Sequence, residues 1–133
     1  MENIEDRQPR GGTEIILLVE DNGEARMVTK TMLAELGYSV IEALDGDDAL
    51  NKFRADKQRI HLVMLDVIMP HGSIKPIYDE MRLIRPDIKA IFFSGYTEEI
   101  LKGSGMIEEG LNFLTKPFLS AQLARKVREV LDT

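Results

Sequence analysis

The sequence of 133 residues contains no cysteine and no tryptophan, and its longest uninterrupted apolar run extends only from Ile15 to Val19. The absence of cysteine excludes a disulfide framework, a cysteine-based zinc site and a thiol nucleophile. The absence of a long apolar run leaves no candidate for a transmembrane helix or a secretory leader. Basic side chains number 17 against 23 acidic ones, which disfavours a nucleic-acid surface built on bulk positive charge. We therefore expect a cytoplasmic protein without direct nucleic-acid or membrane contacts.

Apolar residues make up 44% of the sequence, which is enough for the core of one domain and too little for two. The first twelve residues differ from the rest, because they carry mixed charges, a proline and the Gly11-Gly12 pair but few aliphatic side chains. We predict a flexible lead or linker over residues 1–12 and a single folded domain over residues 13–133.

Short apolar runs alternate with helical patterns along this domain. The runs that we predict to form strands are residues 15–19, 38–43, 61–65, 88–93 and 111–114. Asp45 and Thr97 are placed to cap two of the intervening helices. Strands that alternate with helices indicate a parallel sheet covered on both faces, because right-handed crossovers leave few other topologies. The sequence thus predicts an α/β domain with a doubly wound, five-stranded parallel sheet of flavodoxin-like order 2-1-3-4-5.

Polar residues interrupt the apolar pattern at the carboxyl ends of four predicted strands. Glu20 and Asp21 follow the first strand, Asp66 follows the third, Ser94 the fourth and Lys116 the fifth. In an open α/β sheet, ligands bind beyond the carboxyl ends of the strands, where the strand order reverses. With the order 2-1-3-4-5 this reversal lies between the first and third strands. We therefore expect the three carboxylates to share one crevice, flanked by the serine and the lysine.

Three carboxylates in one crevice repel each other unless a positive charge joins them. A set of oxygen ligands, without cysteine and without a histidine at ligand spacing, favours Mg²⁺ over zinc. Lys116 adds an ammonium group and Ser94 a hydroxyl donor, so the crevice contains the groups that phosphoryl transfer requires. Asp66 is the candidate acceptor, which would form an acyl phosphate.

Four motifs at these positions resemble those of the receiver domain of bacterial two-component response regulators. They read Val19-Glu20-Asp21, Leu65-Asp66-Val67-Ile68-Met69-Pro70, Ser94-Gly95-Tyr96-Thr97 and Lys116-Pro117-Phe118. Each motif alone is weakly specific, whereas all four in this order and spacing are highly specific. The resemblance covers residues 14–131.

The resemblance implies that Asp66 receives a phosphoryl group from a phosphohistidine of a sensor histidine kinase or a histidine phosphotransfer domain. It implies that Ser94 and Lys116 hold the phosphoryl oxygens, and that the bond between Lys116 and Pro117 is cis. Such a domain is a signalling module with self-catalysed phosphorylation and dephosphorylation rather than an enzyme in the ordinary sense. The groups that would hold the Mg²⁺ cofactor are the carboxylates of Asp21 and Asp66, the backbone carbonyl of Ile68 and, largely through water, Glu20.

The resemblance also implies a conformational switch. Phosphorylation would draw the Ser94 hydroxyl inward, and Phe113 stands at the position of the family's switching aromatic residue. The output would be a repacked surface of the fourth helix, fifth strand and fifth helix that binds a downstream protein. The domain is expected to be a monomer or weak homodimer. It is either a free-standing regulator or the C-terminal receiver of a hybrid sensor histidine kinase. The second possibility is suggested by the segment Arg10-Gly11-Gly12-Thr13-Glu14, which resembles the junction that precedes the C-terminal receiver in such kinases.

One departure from the family's pattern and the residues at two variable positions modify these expectations. The family usually places a glycine where Ile74 stands, so we expect the loop to follow a different path, with Pro76 in the first turn of the next helix. Ile68 and Tyr96 occupy the two variable positions that tune hydrolysis in the family. Because bulky apolar side chains there hinder the approach of water, we predict slow dephosphorylation.

Three other functions compete with this interpretation. A binding module on the same fold that works without phosphorylation is favoured by the altered loop at Ile74 and disfavoured by the retention of Asp21, Asp66 and Lys116. A Mg²⁺-dependent phosphatase of the haloacid dehalogenase type would carry an Asp-x-Asp pair after the first strand, where this sequence has Glu20-Asp21-Asn22. A flavodoxin-like flavin-mononucleotide binder would need a phosphate loop there, and an acidic pair repels phosphate.

Overall fold

The structure, a computed structural model, describes residues 10–70 and 72–133. Its parallel strands are β1 (Ile15–Val19), β2 (Ser39–Ala43), β3 (Leu62–Asp66), β4 (Lys89–Ser94) and β5 (Phe113–Thr115). They form one sheet in the order β2-β1-β3-β4-β5, and each neighbouring pair is parallel. The predicted fold class and strand order are confirmed.

Helices cover both faces of this sheet. They are α1 (Gly23–Glu35), α2 (Gly46–Asp56), α3 (Lys75–Ile84), α4 (Glu98–Gly103) and α5 (Ser120–Leu131). Successive strand residues point to opposite faces. Leu17 therefore packs with α2, α3 and α4 in one core cluster, and Leu18 packs with α1 and α5 in the other. Among the described residues no helix is both long enough and apolar enough to cross a membrane.

The two predicted helix caps are confirmed. The Asp45 side chain accepts a hydrogen bond from the backbone N–H of Asp48 at the start of α2 (2.8 Å). The Thr97 hydroxyl accepts one from the backbone N–H of Ile100 at the start of α4 (3.3 Å). Each cap satisfies a donor that the first turn of a helix leaves without a partner.

A small hairpin, which the sequence did not reveal, separates β3 from α3. Ile68–Met69 pairs antiparallel with Gly72–Ser73. Ile74 has φ −70° and ψ −9° and is only 1% exposed, whereas Gly72 has φ +120°. Positive φ thus falls on a glycine, and the isoleucine adopts an ordinary backbone conformation, as the expected change of path requires. Pro76 lies in the first turn of α3, as predicted.

The described part of the lead contacts the domain. The Gly12 N–H donates to the Leu36 carbonyl (3.0 Å), and Arg10 forms an ion pair with Asp132 (3.0 Å). Gly37 permits this approach, because it has φ +100° and a Cβ there would lie 2.5 Å from the Gly12 carbonyl oxygen. Within the described part of the chain, residues 10–12 are therefore attached to the domain. Residues 1–9 of the predicted flexible lead lie outside the described residues.

Candidate functional site

Three carboxylates meet at the carboxyl edge of the sheet. β1 and β3 are neighbours in register, with Val19 beside Leu65, so the residues that follow or end these strands converge. One side-chain oxygen from each of Glu20, Asp21 and Asp66 lies within 4.8 Å of the others. Glu20 and Asp66 are buried, whereas Asp21 is exposed. The predicted convergence of the three acids is observed.

Lys116 brings a positive charge to the two buried acids. Its Nζ forms an ion pair with Glu20 Oε1 and lies 3.5 Å from Asp66 Oδ2. The Lys116 N–H donates to the Ser94 carbonyl (2.7 Å), which aligns the end of β5 with the end of β4. The Lys116–Pro117 peptide bond is cis, as predicted. The lysine thus reaches the centre of the site from the edge strand of the sheet.

Backbone donors fix the orientation of the acids. The N–H of Asn22 donates to Glu20 Oε2 (3.3 Å), and the N–H of Ile68 donates to Asp66 Oδ1 (3.3 Å). Arg26 donates from Nη1 to the backbone carbonyl of Glu20 (2.9 Å). The two backbone N–H groups hold the carboxyl groups in place, because hydrogen bonds to a charged acceptor are stronger than neutral ones, and Arg26 anchors the backbone at Glu20.

The pKa values of the two buried carboxyl groups, Asp66 and Glu20, are shifted in opposite directions. Burial and the neighbouring Glu20 carboxylate raise the pKa of Asp66 to about 7. Burial also opposes ionisation of Glu20, but the interactions with Asp66 and Lys116 outweigh it and hold the pKa of Glu20 below its usual range. Like charges this close do not coexist without a proton or a cation between them. One lysine is therefore insufficient to neutralise the cluster.

The cluster fits a hard divalent cation. Its donors are three carboxylates, of which Asp21 faces solvent. Mg²⁺ prefers oxygen ligands, is bound through one or two carboxylates and retains several waters, so a half-open acidic site suits it. The expected contribution of the Ile68 backbone carbonyl stays a prediction.

The remaining predicted residues lie around this cluster. Ser94 ends β4, is 2% exposed, and its hydroxyl accepts a hydrogen bond from the Tyr96 N–H (3.2 Å). Ile68 is half-buried in the hairpin, and Tyr96 is exposed. Phe113 is half-buried on β5 and packs against the core cluster that contains Phe92. The positions agree with the roles expected for these residues, and the roles themselves stay predictions.

Three residues that support the site were not identified from the sequence. Asn22 caps α1 as well as bonding Glu20, and the Glu20-Asp21-Asn22 order is the signal that could have identified it. Arg26 pairs with both Glu42 and the Glu20 carbonyl, but an arginine on a helix carries no such signal. Ser73 belongs to the hairpin after β3, which only the folded chain reveals.

Known proteins match nearly the whole chain. The family model of the response regulator receiver domain matches residues 16–128. Sensor kinase CckA from Brucella abortus (strain 2308) is 36% identical over 129 residues, which are 97% of this chain and 14% of that protein. Three further curated relatives are also longer, since the chain spans just under half of each.

Solved structures agree with this match. The receiver domain of the hybrid histidine kinase CckA superposes with a TM-score of 0.74 at 33% identity, covering 88% of this chain and 98% of that one. Response regulator TrrA from Thermotoga maritima was solved with Mg²⁺-BeF (TM-score 0.75, 29% identity, 89% and 99% coverage). TrrA was also solved in complex with histidine kinase ThkA (TM-score 0.74, 30% identity, 90% and 99% coverage). The chain therefore belongs to the response regulator receiver domain family, a module of two-component signalling.

Proposed function

We propose that this receiver domain takes up a phosphoryl group on Asp66 in a Mg²⁺-dependent reaction. The observation that supports it is the convergence of Glu20, Asp21 and Asp66 within 4.8 Å, with the Lys116 ammonium beside the two buried acids. A cluster with this excess of negative charge is stabilised by a cation, and a bound cation allows Asp66 to act as an ionised nucleophile.

Each side chain has a part in this reaction. A carboxylate oxygen of Asp66 attacks the phosphorus, and the bond between phosphorus and the donor's imidazole nitrogen breaks. Lys116 and Ser94 then hold phosphoryl oxygens through the ammonium and the hydroxyl. Glu20, Asp21 and Asp66 would hold Mg²⁺, with the Ile68 carbonyl as a further ligand. When bound there, the ion would supply positive charge that offsets the charge of the transferred group.

The proposed donor is a phosphohistidine of a sensor histidine kinase or a histidine phosphotransfer domain. The complex of TrrA with histidine kinase ThkA supports this class of partner. The match with sensor kinase CckA supports a place in a hybrid kinase, and a free-standing regulator is the alternative. Such partners, and a chain without cysteine, favour a cytoplasmic protein. We expect a monomer or weak homodimer.

The proposed output is a change at the surface of α4, β5 and α5. Ser94 lies buried beside the phosphoacceptor strand and Phe113 is half-buried on β5, so both can repack when charge is added at Asp66. The surface also exposes Tyr96 and Ile100, which are 56% and 57% exposed. Both side chains are therefore accessible to a partner that binds this surface.

Intact mass spectrometry with acetyl phosphate tests the proposal. We expect the wild-type protein to gain one phosphoryl group with Mg²⁺ and none when the metal is chelated. Asp66→Asn should gain none, and Asp47→Asn, which changes an exposed acid on α2, should behave as wild type. A Mg²⁺-dependent adduct that persists in Asp66→Asn would refute the assignment of the acceptor. Absence of any adduct would favour a phosphorylation-independent binding module, and multiple turnover of a phosphate ester would favour a phosphatase.

A further inference from the structure

The hairpin after β3 is joined to the segment that follows α4. The Ser73 hydroxyl donates a hydrogen bond to the Met106 carbonyl (2.8 Å), 33 residues further along the chain. The same oxygen accepts from the Lys75 N–H (3.1 Å). Ser73 and Met106 are both half-buried, so the bond is shielded in part from competing water.

The contact continues on both sides of this hydrogen bond. Ile74 and Ile107 are 1% and 5% exposed and belong to the same core cluster. Lys75 Nζ lies 3.0 Å from Glu108 Oε1 and 3.0 Å from Asp79 Oδ2. Residues 73–75 therefore meet residues 106–108 through a hydrogen bond and an ion pair, and Ile74 and Ile107 bury their side chains in the same core cluster. We call this set the 73–75/106–108 strip.

The strip is connected to Asp66 through the backbone. Ile68 pairs with Ser73 across the hairpin, and the Ile74 N–H donates to the Val67 carbonyl (2.9 Å). The Ile68 N–H in turn donates to Asp66 Oδ1 (3.3 Å). A continuous series of contacts thus runs from the acceptor carboxylate through the hairpin and Ser73 to the segment after α4.

We infer that Ser73 is a positioning residue for the Asp66 site, and that it transmits the occupation of this site to residues 106–108. The inference rests on the proposed function, because it assumes that Mg²⁺ binds beside Asp66. Ser73 does not contact the reacting groups itself. It fixes the hairpin strand that pairs with Ile68, and it links that strand to the segment between α4 and β5.

Transmission of this kind is reciprocal. If Mg²⁺ binding stabilises the strip, then loss of the strip must weaken Mg²⁺ binding by the same factor. Removal of one partly shielded hydrogen bond corresponds to a factor of about two to ten. A hydroxyl with a structural role alone would lower the stability of the domain and leave both the Mg²⁺ affinity and the response at residues 106–108 unchanged.

Amide NMR spectra recorded during a Mg²⁺ titration test the inference. In the wild-type protein we expect shifts at Asp21 and Ile68, next to the metal, and further shifts at residues 106–108. Ser73→Ala should keep the shifts next to the metal with about two- to tenfold weaker affinity, and it should lose most of the response at residues 106–108. Ser73→Thr should restore both. The matched control is Ser104→Ala, which removes a hydroxyl that donates to the nearby Leu101 carbonyl (3.0 Å) and which should behave as wild type.

Each outcome decides the question. If residues 106–108 respond to Mg²⁺ equally in wild type and Ser73→Ala, or fail to respond in wild type while Asp21 and Ile68 shift, the inference is wrong. If Mg²⁺ shifts neither Asp21 nor Ile68 in wild type, the proposed function fails and the inference fails with it. If Ser73→Ala does not fold, Lys75→Gln, which removes the ion pair to Glu108, gives the decision: a reduced response at residues 106–108 supports the inference, and an unchanged response overturns it.

Discussion

Restoring the family's usual glycine at position 74 should destabilise this protein. Ile74 is 1% exposed and packs in the core cluster that includes Tyr78 and Ile107. Truncation of a buried isoleucine to alanine costs about 2–5 kcal/mol, and glycine in place of alanine adds about 0.5–1 kcal/mol through backbone entropy. We therefore expect Ile74→Gly to lower the free energy of unfolding by about 2.5–6 kcal/mol. That loss is a large fraction of the stability of a typical domain.

Urea denaturation followed by far-UV circular dichroism measures this effect. Ile74→Val is the matched control, because it keeps the branched side chain and should cost only about 0.5–1.5 kcal/mol. Both variants should shift the midpoint of unfolding without changing its slope if the denatured state is unaffected. If Ile74→Gly is as stable as wild type, the hairpin does not depend on the burial of this side chain, and our explanation of the departure from the family pattern is refuted.

Three further predictions follow from particular residues. Gly37→Ala should cost about 1–3 kcal/mol, because φ is +100° and a Cβ would lie 2.5 Å from a backbone oxygen. Gly103→Ala, with open space around it at the end of α4, should be neutral or slightly stabilising in the same urea-denaturation assay, and equal effects of the two substitutions on the free energy of unfolding would contradict the reasoning. Burial opposes ionisation of Glu14, but backbone hydrogen bonds and the ion pair with Arg128 outweigh it and hold the pKa of Glu14 below its ordinary value of 4.5. Because this pKa is lower in the folded protein than in the unfolded chain, the ionised Glu14 stabilises the fold at pH values above its ordinary pKa. That stabilisation is lost as the pH falls through the lowered pKa of the folded protein. Urea unfolding should therefore show an acid-dependent loss of stability that is smaller in Arg128→Gln than in wild type, and an unchanged acid response in that variant would exclude the ion pair as a source of the loss. Ile68→Ala should speed the loss of the phosphoryl group, followed by intact mass over time, and an unchanged rate would show that this side chain does not shield the site from water.

The sheet was predictable from the sequence, whereas some strand ends were not. The apolar pattern predicts a fifth strand over residues 111–114, but β5 runs from Phe113 to Thr115. Asn112 explains the shift, because its side-chain amide donates to the Ala90 carbonyl (3.3 Å) while its own carbonyl accepts from the Phe92 N–H (2.8 Å). The hydropathy pattern alone does not distinguish a residue whose side chain bonds to the neighbouring strand from one that is part of the regular backbone hydrogen bonding of the sheet.

The site was predictable to a similar degree. The positions of Glu20, Asp21 and Asp66 follow from strand order, because the carboxyl ends of adjacent parallel strands meet at one edge. The ion pair between Lys116 and Glu20 joins residues 96 apart, and the path of the lysine side chain is set only by tertiary packing. The contact of Ser73 with Met106 was not predictable, since a serine in a loop is typical of a turn. Only the folded hairpin places it against the segment after α4.

Isothermal titration calorimetry with Mg²⁺ tests most directly whether the converging acids form a cation site. We predict one saturable site per chain in the wild-type protein. Binding should be lost or strongly weakened in Asp21→Asn and unchanged in Asp47→Asn, which alters an acid of the same type on α2. Equal Mg²⁺ binding by wild type and Asp21→Asn, or no binding by wild type, would contradict the assignment of this cluster as the metal site of the phosphoacceptor.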